Sequence, residues 1–180
     1  SDAKLVDGKV VGDPTEGALL VLGHKAGLDI EQTREKFPRL ATLPFDPSYK
    51  LMATFHPAVD DSGKKVVRCF VKCSAPAVMS HATSVIAGGT STAINDDVSK
   101  KAQAEVARMG ALGQRVMAAA TRDIDADGFD PDGDLLAYMT DLQVCSLVGM
   151  VDPPRPESKA SVASAQSAHI RVRMVTGDDV

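Results

Sequence analysis

The sequence predicts an α/β fold of the α+β kind, a twisted and mostly antiparallel sheet with flanking helices, followed by a short βαβ segment. Three observations carry this. The runs RLATLPFD, LMATFHPAV and KVVRCFVK follow one another from Arg39 to Lys72 with strand-like alternation, as half-buried strands require. The segment DDSG between the last two runs is a turn signal, which makes them an antiparallel hairpin. Helix-period segments stand on both sides of these strands, at residues 14–26 and 95–110.

In chain order, residues 9–11 read as a short strand. Asp13 is placed to cap a helix that has Pro14 in its first turn. Leu19, Leu22 and Ala26 keep helical spacing, and Gly27 is a natural stop. A second helix at about 31–36 ends before Pro38. After the hairpin, residues 75–82 read as helix and GGTST as loop. Val98, Ala102, Val106 and Met109 share one face of the helix at 95–110. QRVMAAATR reads as a strand, DIDADGFDPDGD as an acidic loop, and CSLVGMVD as another strand. The tail then reads strand–helix–strand, with a helix around 156–168 and RVRMVTGD after it, as in parallel sheets. A boundary between 1–146 and 147–180 is therefore expected.

Composition narrows the function. The 180 residues carry 44% hydrophobic and 24% charged residues, enough for a real core. Aromatics make up only 4%, there is no tryptophan and the formal charge is −4. Base-stacking surface is scarce and no global field attracts a polyanion, so nucleic acid is not an expected partner. Any anion must be held by a local basic cluster. The sequence has no run of about 18 apolar residues of the kind that spans a membrane. Three cysteines, Cys69, Cys73 and Cys145, form no disulfide or zinc pattern. The chain starts on Ser and stops on MVTGDDV, ends that suggest a piece of a longer polypeptide.

Six short segments stand in one order: GDPTEGALL (12–20), LPFDPSYKLM (43–52), FVKCSAP (70–76), LGQRVMAAA (112–120), MVDPPRPE (150–157) and MVTGD (174–178). These words, in this order, resemble the nucleotide-binding domain of P-type cation-transporting ATPases, in the branch of calcium, sodium/potassium and proton pumps. The resemblance spans nearly the whole chain, and its motifs are specific in combination. It implies an ATP-binding domain whose partners are ATP and the phosphorylation, actuator and transmembrane domains of the same polypeptide. It implies a place on the cytoplasmic face of a membrane, with Mg2+ used by the full-length enzyme. The fragment itself is expected to be monomeric.

The resemblance also assigns residues. Glu16 is the acceptor for the adenine amino group, a bond that a carboxylate makes strongly. A first-turn carboxylate is favoured there by the helix dipole in any case. Phe45, beside a proline-containing bend, is the ring that stacks on adenine. Lys50 and Lys72 are the pocket lysines, and Arg115 grips phosphate oxygens with its planar fork. Thr15 and Met52 complete the ATP-binding set. Asp152 and Arg155 mark the return into the phosphorylation domain, and Thr176, Gly177 and Asp178 lie on its side. The Asp-Lys-Thr-Gly-Thr motif that holds the phosphorylated aspartate is absent from this sequence. Phosphoryl transfer needs a nucleophile, a metal and positioned charge together, so no hydrolysis is expected of the fragment alone. Two positions depart from the family pattern. Cys73 and Ser74 follow Lys72 where relatives carry a glycine, and Pro47 stands where some relatives carry a phosphate-holding arginine.

Two other readings compete. Asp123, Asp125, Asp127 and Asp134 fit the opening and twelfth positions of a calcium loop. However, the twelfth residue is not Glu, Pro131 stiffens the ninth position, and strand rather than helix precedes it. Asp123 and Asp125 also form an Asp-x-Asp pair such as a free-standing phosphatase uses, without the later acidic motif that chemistry needs.

Overall fold

The structure is a computed structural model that describes residues 2–6, 9–152, 155–173 and 175. It divides into two compact units, Ser1–Met150 and Val151–Val180.

The first unit opens with an antiparallel ribbon of β1 (Lys4–Val6) and β2 (Lys9–Val11). Helix α1 (Pro14–Lys25) follows, capped by Asp13, whose side chain accepts from the Glu16 amide. Gly27 leaves the helix at φ +81, in the left-handed region that favours glycine. Helix α2 (Ile30–Lys36) is capped in the same way by Asp29. The remaining strands are β3 (Ala41–Leu43), β4 (Met52–Val59), β5 (Lys65–Ser74), β6 (Ala82–Ala87), β7 (Thr90–Ala93), β8 (Arg115–Asp125) and β9 (Leu142–Met150). Helix α3 (Ala75–Met79) leads from β5 toward β6, and α4 (Asp96–Ala111) leads into β8. Together the strands form a seven-stranded sheet in the order β3-β4-β5-β8-β9-β6-β7. Every neighbouring pair is antiparallel except β6–β9. The mixed, mostly antiparallel sheet with flanking helices is the expected class.

Register explains where the core lies. Ala53 pairs with Val71, Val71 with Ala120, and Ala120 with Val144. This row of small and branched residues crosses four strands on one face, and all four side chains are buried. Two residues along, Phe55 faces Cys69, both at 0% exposure. Phe55 also packs on Phe129, with ring centroids 5.2 Å apart, and on Tyr138 at 6.0 Å. Because the strand period is two, Met52, Thr54, Lys72 and Met117 point to the other face.

Three local expectations are corrected. The helix read over 75–82 stops at Met79, and Ala82 already begins β6. The GGTST loop is a hairpin: Gly88 and Gly89 turn at φ +58 and +82, and Thr90 starts β7. Two successive left-handed glycines match the twist of a two-residue hairpin turn. The stretch read as an acidic loop from Asp123 begins inside β8, which runs to Asp125.

At the C-terminal side, Leu147–Met150 belong to β9 in the sheet of the first unit, so that unit runs past residue 146. The second unit contains α5 (Pro156–Ser167), the expected helix. Residues 171–173 are not in a strand, and most of the remainder of the expected closing strand lies outside the described residues.

The cysteines test this packing. Cys69 and Cys73 are buried on the core face, Cys145 is exposed, and burial pushes the Cys69 thiol up to about 12. A thiolate-specific reagent at pH 8 should therefore label Cys145 in the native protein and reach the other two only after denaturation. Equal native labelling of all three would contradict the register.

Candidate functional site

A cleft of about 490 Å³ opens on the sheet face opposite the aromatic cluster, next to the start of α1. Its walls come from four separated stretches of chain: Asp13, Thr15 and Glu16; Phe45, Pro47, Lys50 and Met52; Lys72, Cys73 and Ser74; and Arg115, Val116 and Met117. All seven residues expected to contact ATP therefore line one cavity. Asp13, Val116 and Met117 also line it, without a ligand contact expected of them from the sequence. Period-two geometry finds Met117, since it pairs across from Ser74, two residues beyond Lys72 on the same face.

The GDPTEG stretch is shaped by its glycines. Gly12 has φ +122, and a Cβ there would lie 3.0 Å from the Ala3 Cα. Gly17 is buried, and a Cβ would meet Val10 Cγ1 at 2.1 Å. Only glycine lets α1 sit this close to β2, and that contact brings Thr15 and Glu16 to the cleft.

The segment from Pro44 to Lys50 is a closed loop. Asp46 accepts from the Ser48 amide at 2.8 Å and the Ser48 hydroxyl at 2.5 Å. Those bonds hold its carboxyl below the ordinary value. The Lys50 amide returns to the Asp46 carbonyl at 2.7 Å, and the Tyr49 hydroxyl donates to the Pro44 carbonyl at 2.7 Å. Lys50 sits at φ +54, a conformation that costs a non-glycine residue about 1 kcal/mol. Phe45 stands 58% exposed at the mouth of the cleft, against 0% for Phe55 in the core. The loop thus spends backbone strain to hold a bare ring and a lysine at one opening.

Lys72 and Glu16 form an ion pair at 2.9 Å, with side chains 21% and 14% exposed. Glu16 Oε2 also accepts from the amides of Asp2 and Ala3 at 2.6 and 3.2 Å. Burial alone would raise the Glu16 carboxyl, but the bonds from Lys72 and Asp2 outweigh it and hold the group below its ordinary value of 4.5. Met52 pairs with Lys72 across β4 and β5, and its buried thioether forms apolar floor.

Arg115 is the first residue of β8 and is exposed. Gly113 at φ +72 turns the chain out of α4, and the Gln114 amide bonds the Met109 carbonyl at 3.2 Å. Among the described residues, Lys50 and Arg115 have no ion pair. The cleft therefore presents two uncommitted cations and one exposed aromatic ring, inside a chain whose net charge is −4.

Asp152 and Arg155 belong to the second unit, and Thr176, Gly177 and Asp178 fall outside the described residues. The acidic stretch does structural work. Asp123 takes two bonds from Arg68 at 2.6 and 2.7 Å, and Asp125 pairs with Lys64 at 2.5 Å. Asp134 accepts from the Leu136 amide at the head of a short 3-10 turn, and the Asp125 carboxylate accepts from the Asp127 amide. Phe129, from the middle of the stretch, packs on Phe55. Asp123, Asp125, Asp127 and Asp134 do not converge, and among the described residues no group of three or more His, Cys, Asp or Glu could hold a metal. Both competing readings needed Asp123 and Asp125 free.

Comparison with known proteins agrees with the motif order. The family described as P-type ATPase, cytoplasmic domain N, matches residues 1–157. A cation-transporting ATPase of Synechocystis is 36% identical over 97% of this chain, and calcium-transporting ATPase 1 of Lactococcus lactis is 34% identical over 96%. The sodium/potassium-transporting ATPase subunit alpha-1 of Catostomus commersonii is 28% identical over 98%. The chain covers 18 to 19% of the length of these relatives. It belongs to the P-type ATPase cytoplasmic domain N family of cation-transporting ATPases. No helix among the described residues is long and apolar enough to cross a membrane.

The Glu16–Lys72 pair sets a pH dependence. A carboxyl depressed in the folded state adds stability above its ordinary value and loses it as pH falls through the folded value. The Glu16 carboxyl carbon should titrate with a midpoint below 4.5, and Lys72→Met should raise that midpoint. A midpoint at or above 4.5 in the unsubstituted protein would contradict the pair.

Proposed function

We propose that this cleft binds ATP, with adenine between Phe45 and Glu16 and phosphates toward Lys50, Lys72 and Arg115. One observation carries the reading: residues from four separated stretches, chosen by motif, line a single cavity. The chemistry of the lining supports it. An exposed ring over an apolar floor suits a base, and worth of about 1–3 kcal/mol attaches to such a stack. Lys50 and Arg115, which have no carboxylate partner among the described residues, suit phosphate oxygens, and Lys72, paired with Glu16, lies beside them.

Within a longer cation-transporting ATPase, the domain would present the γ-phosphate to an aspartate that this sequence does not contain. ATP hydrolysis coupled to cation transport, at the cytoplasmic face of a membrane, is the activity proposed for that whole protein. The closing unit, with Asp152 and Arg155, is proposed as the start of the phosphorylation domain. Mg2+ usually reaches such sites on the phosphates, using few protein ligands, and this chain offers no converging cage of its own among the described residues. Its own residues bind the base, orient the phosphates and leave the transfer step to groups beyond it.

ATP titration followed by amide chemical shifts checks the proposal. Shifts should centre on residues 15–17, 44–50, 71–75 and 114–116, with an affinity on the order of millimolar. Phe45→Ala should weaken binding about tenfold without unfolding the domain. Saturable shifts confined to other residues, or none up to high millimolar ATP, would reject it.

A further inference from the structure

The loop that carries Phe45 is anchored at both feet. Leu43, the last residue of β3, and Leu51, just before β4, are both buried in the core. Between them the hydrogen bonds fall into two groups. Asp46 accepts from the Ser48 amide and hydroxyl, and its carbonyl accepts from the Lys50 amide. Those three bonds close the limb from Asp46 to Lys50. The limb before it, Pro44 and Phe45, is held by a different bond, from the Tyr49 hydroxyl to the Pro44 carbonyl at 2.7 Å. Phe45 makes no hydrogen bond of its own among the described residues, and its ring is exposed. The Tyr49 ring packs against the core, so its hydroxyl reaches Pro44 from a fixed base.

An exposed ring on an untied limb samples many orientations. A ligand that needs one of them then binds more weakly, in proportion to the fraction of time that the limb spends there. Tyr49 is not among the residues that line the cleft, so it acts on a ligand through Phe45. We propose that Tyr49 is a positioning residue that presets the Phe45 ring for a base, serving the base half of the cleft and not its phosphate half. The division follows from the two groups of bonds. Loss of the hydroxyl frees Pro44 and Phe45, while the Asp46 bonds still hold Lys50 in place. A neutral hydroxyl–carbonyl bond is modest in net strength, so its loss should leave the ring correctly placed about one-fifth of the time. The role of the ring rests on the nucleotide reading, whereas its fixing by Tyr49 is a property of the free protein.

Tyr49→Phe tests this, because it keeps the packed ring and removes the hydroxyl. In the unliganded chain, the amide order parameter of Phe45 should be about 0.85 and fall below about 0.6 in the variant, with Ser48 and Lys50 unchanged. In ATP titrations followed by amide shifts, Tyr49→Phe should raise the Kd about fivefold. In a Phe45→Ala background the same substitution should leave the Kd unmoved, because no ring remains to be positioned. A general loosening of the fold would weaken both backgrounds alike, and that result would overturn the proposal. So would a Phe45 order parameter that Tyr49→Phe does not change. Should the variant fail to fold, the unsubstituted chain carries the test: an order parameter below about 0.6 at Phe45 before ATP is added would overturn the presetting. If the order parameters respond as expected but ATP moves neither Phe45 nor Lys50, the nucleotide reading falls, and the base role of Tyr49 with it.

Discussion

Strand β5 divides its side chains between two tasks, and the rest of the molecule is arranged around that division. Val67, Cys69, Val71 and Cys73 enter the core, while Lys72 and Ser74 turn toward the cleft. The alternation is fixed by pairing with β4 on one side and β8 on the other. A slip of one residue would bury Lys72 and expose Val71, at a cost the small apolar core could not offset. The antiparallel register is thus what holds a lysine, a methionine and an arginine on one face while a hydrophobic row fills the other.

The cleft is finished by parts that the sheet alone does not supply. Helix α1 reaches it because Gly17 allows contact with Val10, and Glu16 then closes on Lys72. The Pro44–Lys50 loop reaches it because Asp46, Ser48 and Tyr49 satisfy the polar groups of a turn that would otherwise fray. The Cys73-Ser74 departure is accommodated without losing the lysine. Cys73 takes a core position, and Ser74 stays on the cleft side beside Lys72. At the position of Pro47, no cation is supplied, and Lys50 and Arg115 are the cleft cations without an ion pair among the described residues.

Much of this was legible in the sequence where the signal is local. Asp13 and Asp29 cap helices by direct side-chain bonds, and DDSG turns the β4–β5 hairpin, whose strands alternate cleanly. The β6–β7 hairpin was not legible. Its strands are short and rich in Thr, Ser and Ala, and β6 gains its partner β9 from 60 residues away, as the Ala82–Leu142 pairing shows. The Gly88-Gly89 pair was the available clue. The cleft residues were legible only as words in a shared order; their convergence depends on register and helix packing, which short motifs do not encode. The Glu16 bonds to Asp2 and Ala3 were not legible either, because backbone donors leave no mark in composition. Likewise, the acidic stretch imitates a calcium loop in its spacing, while Arg68 and Lys64, which neutralise it, lie more than 50 residues upstream.

The ring of Phe45, at the mouth of the cleft, is proposed to receive a base. Intermolecular NOEs between the adenine H2 and H8 protons of ATP and the protein report that contact directly. Stacking of the base on Phe45 predicts cross-peaks to the Phe45 ring and the Met52 methyl group. Cross-peaks to Phe70 and Ile86 on another part of the surface, with none to Phe45, would contradict it.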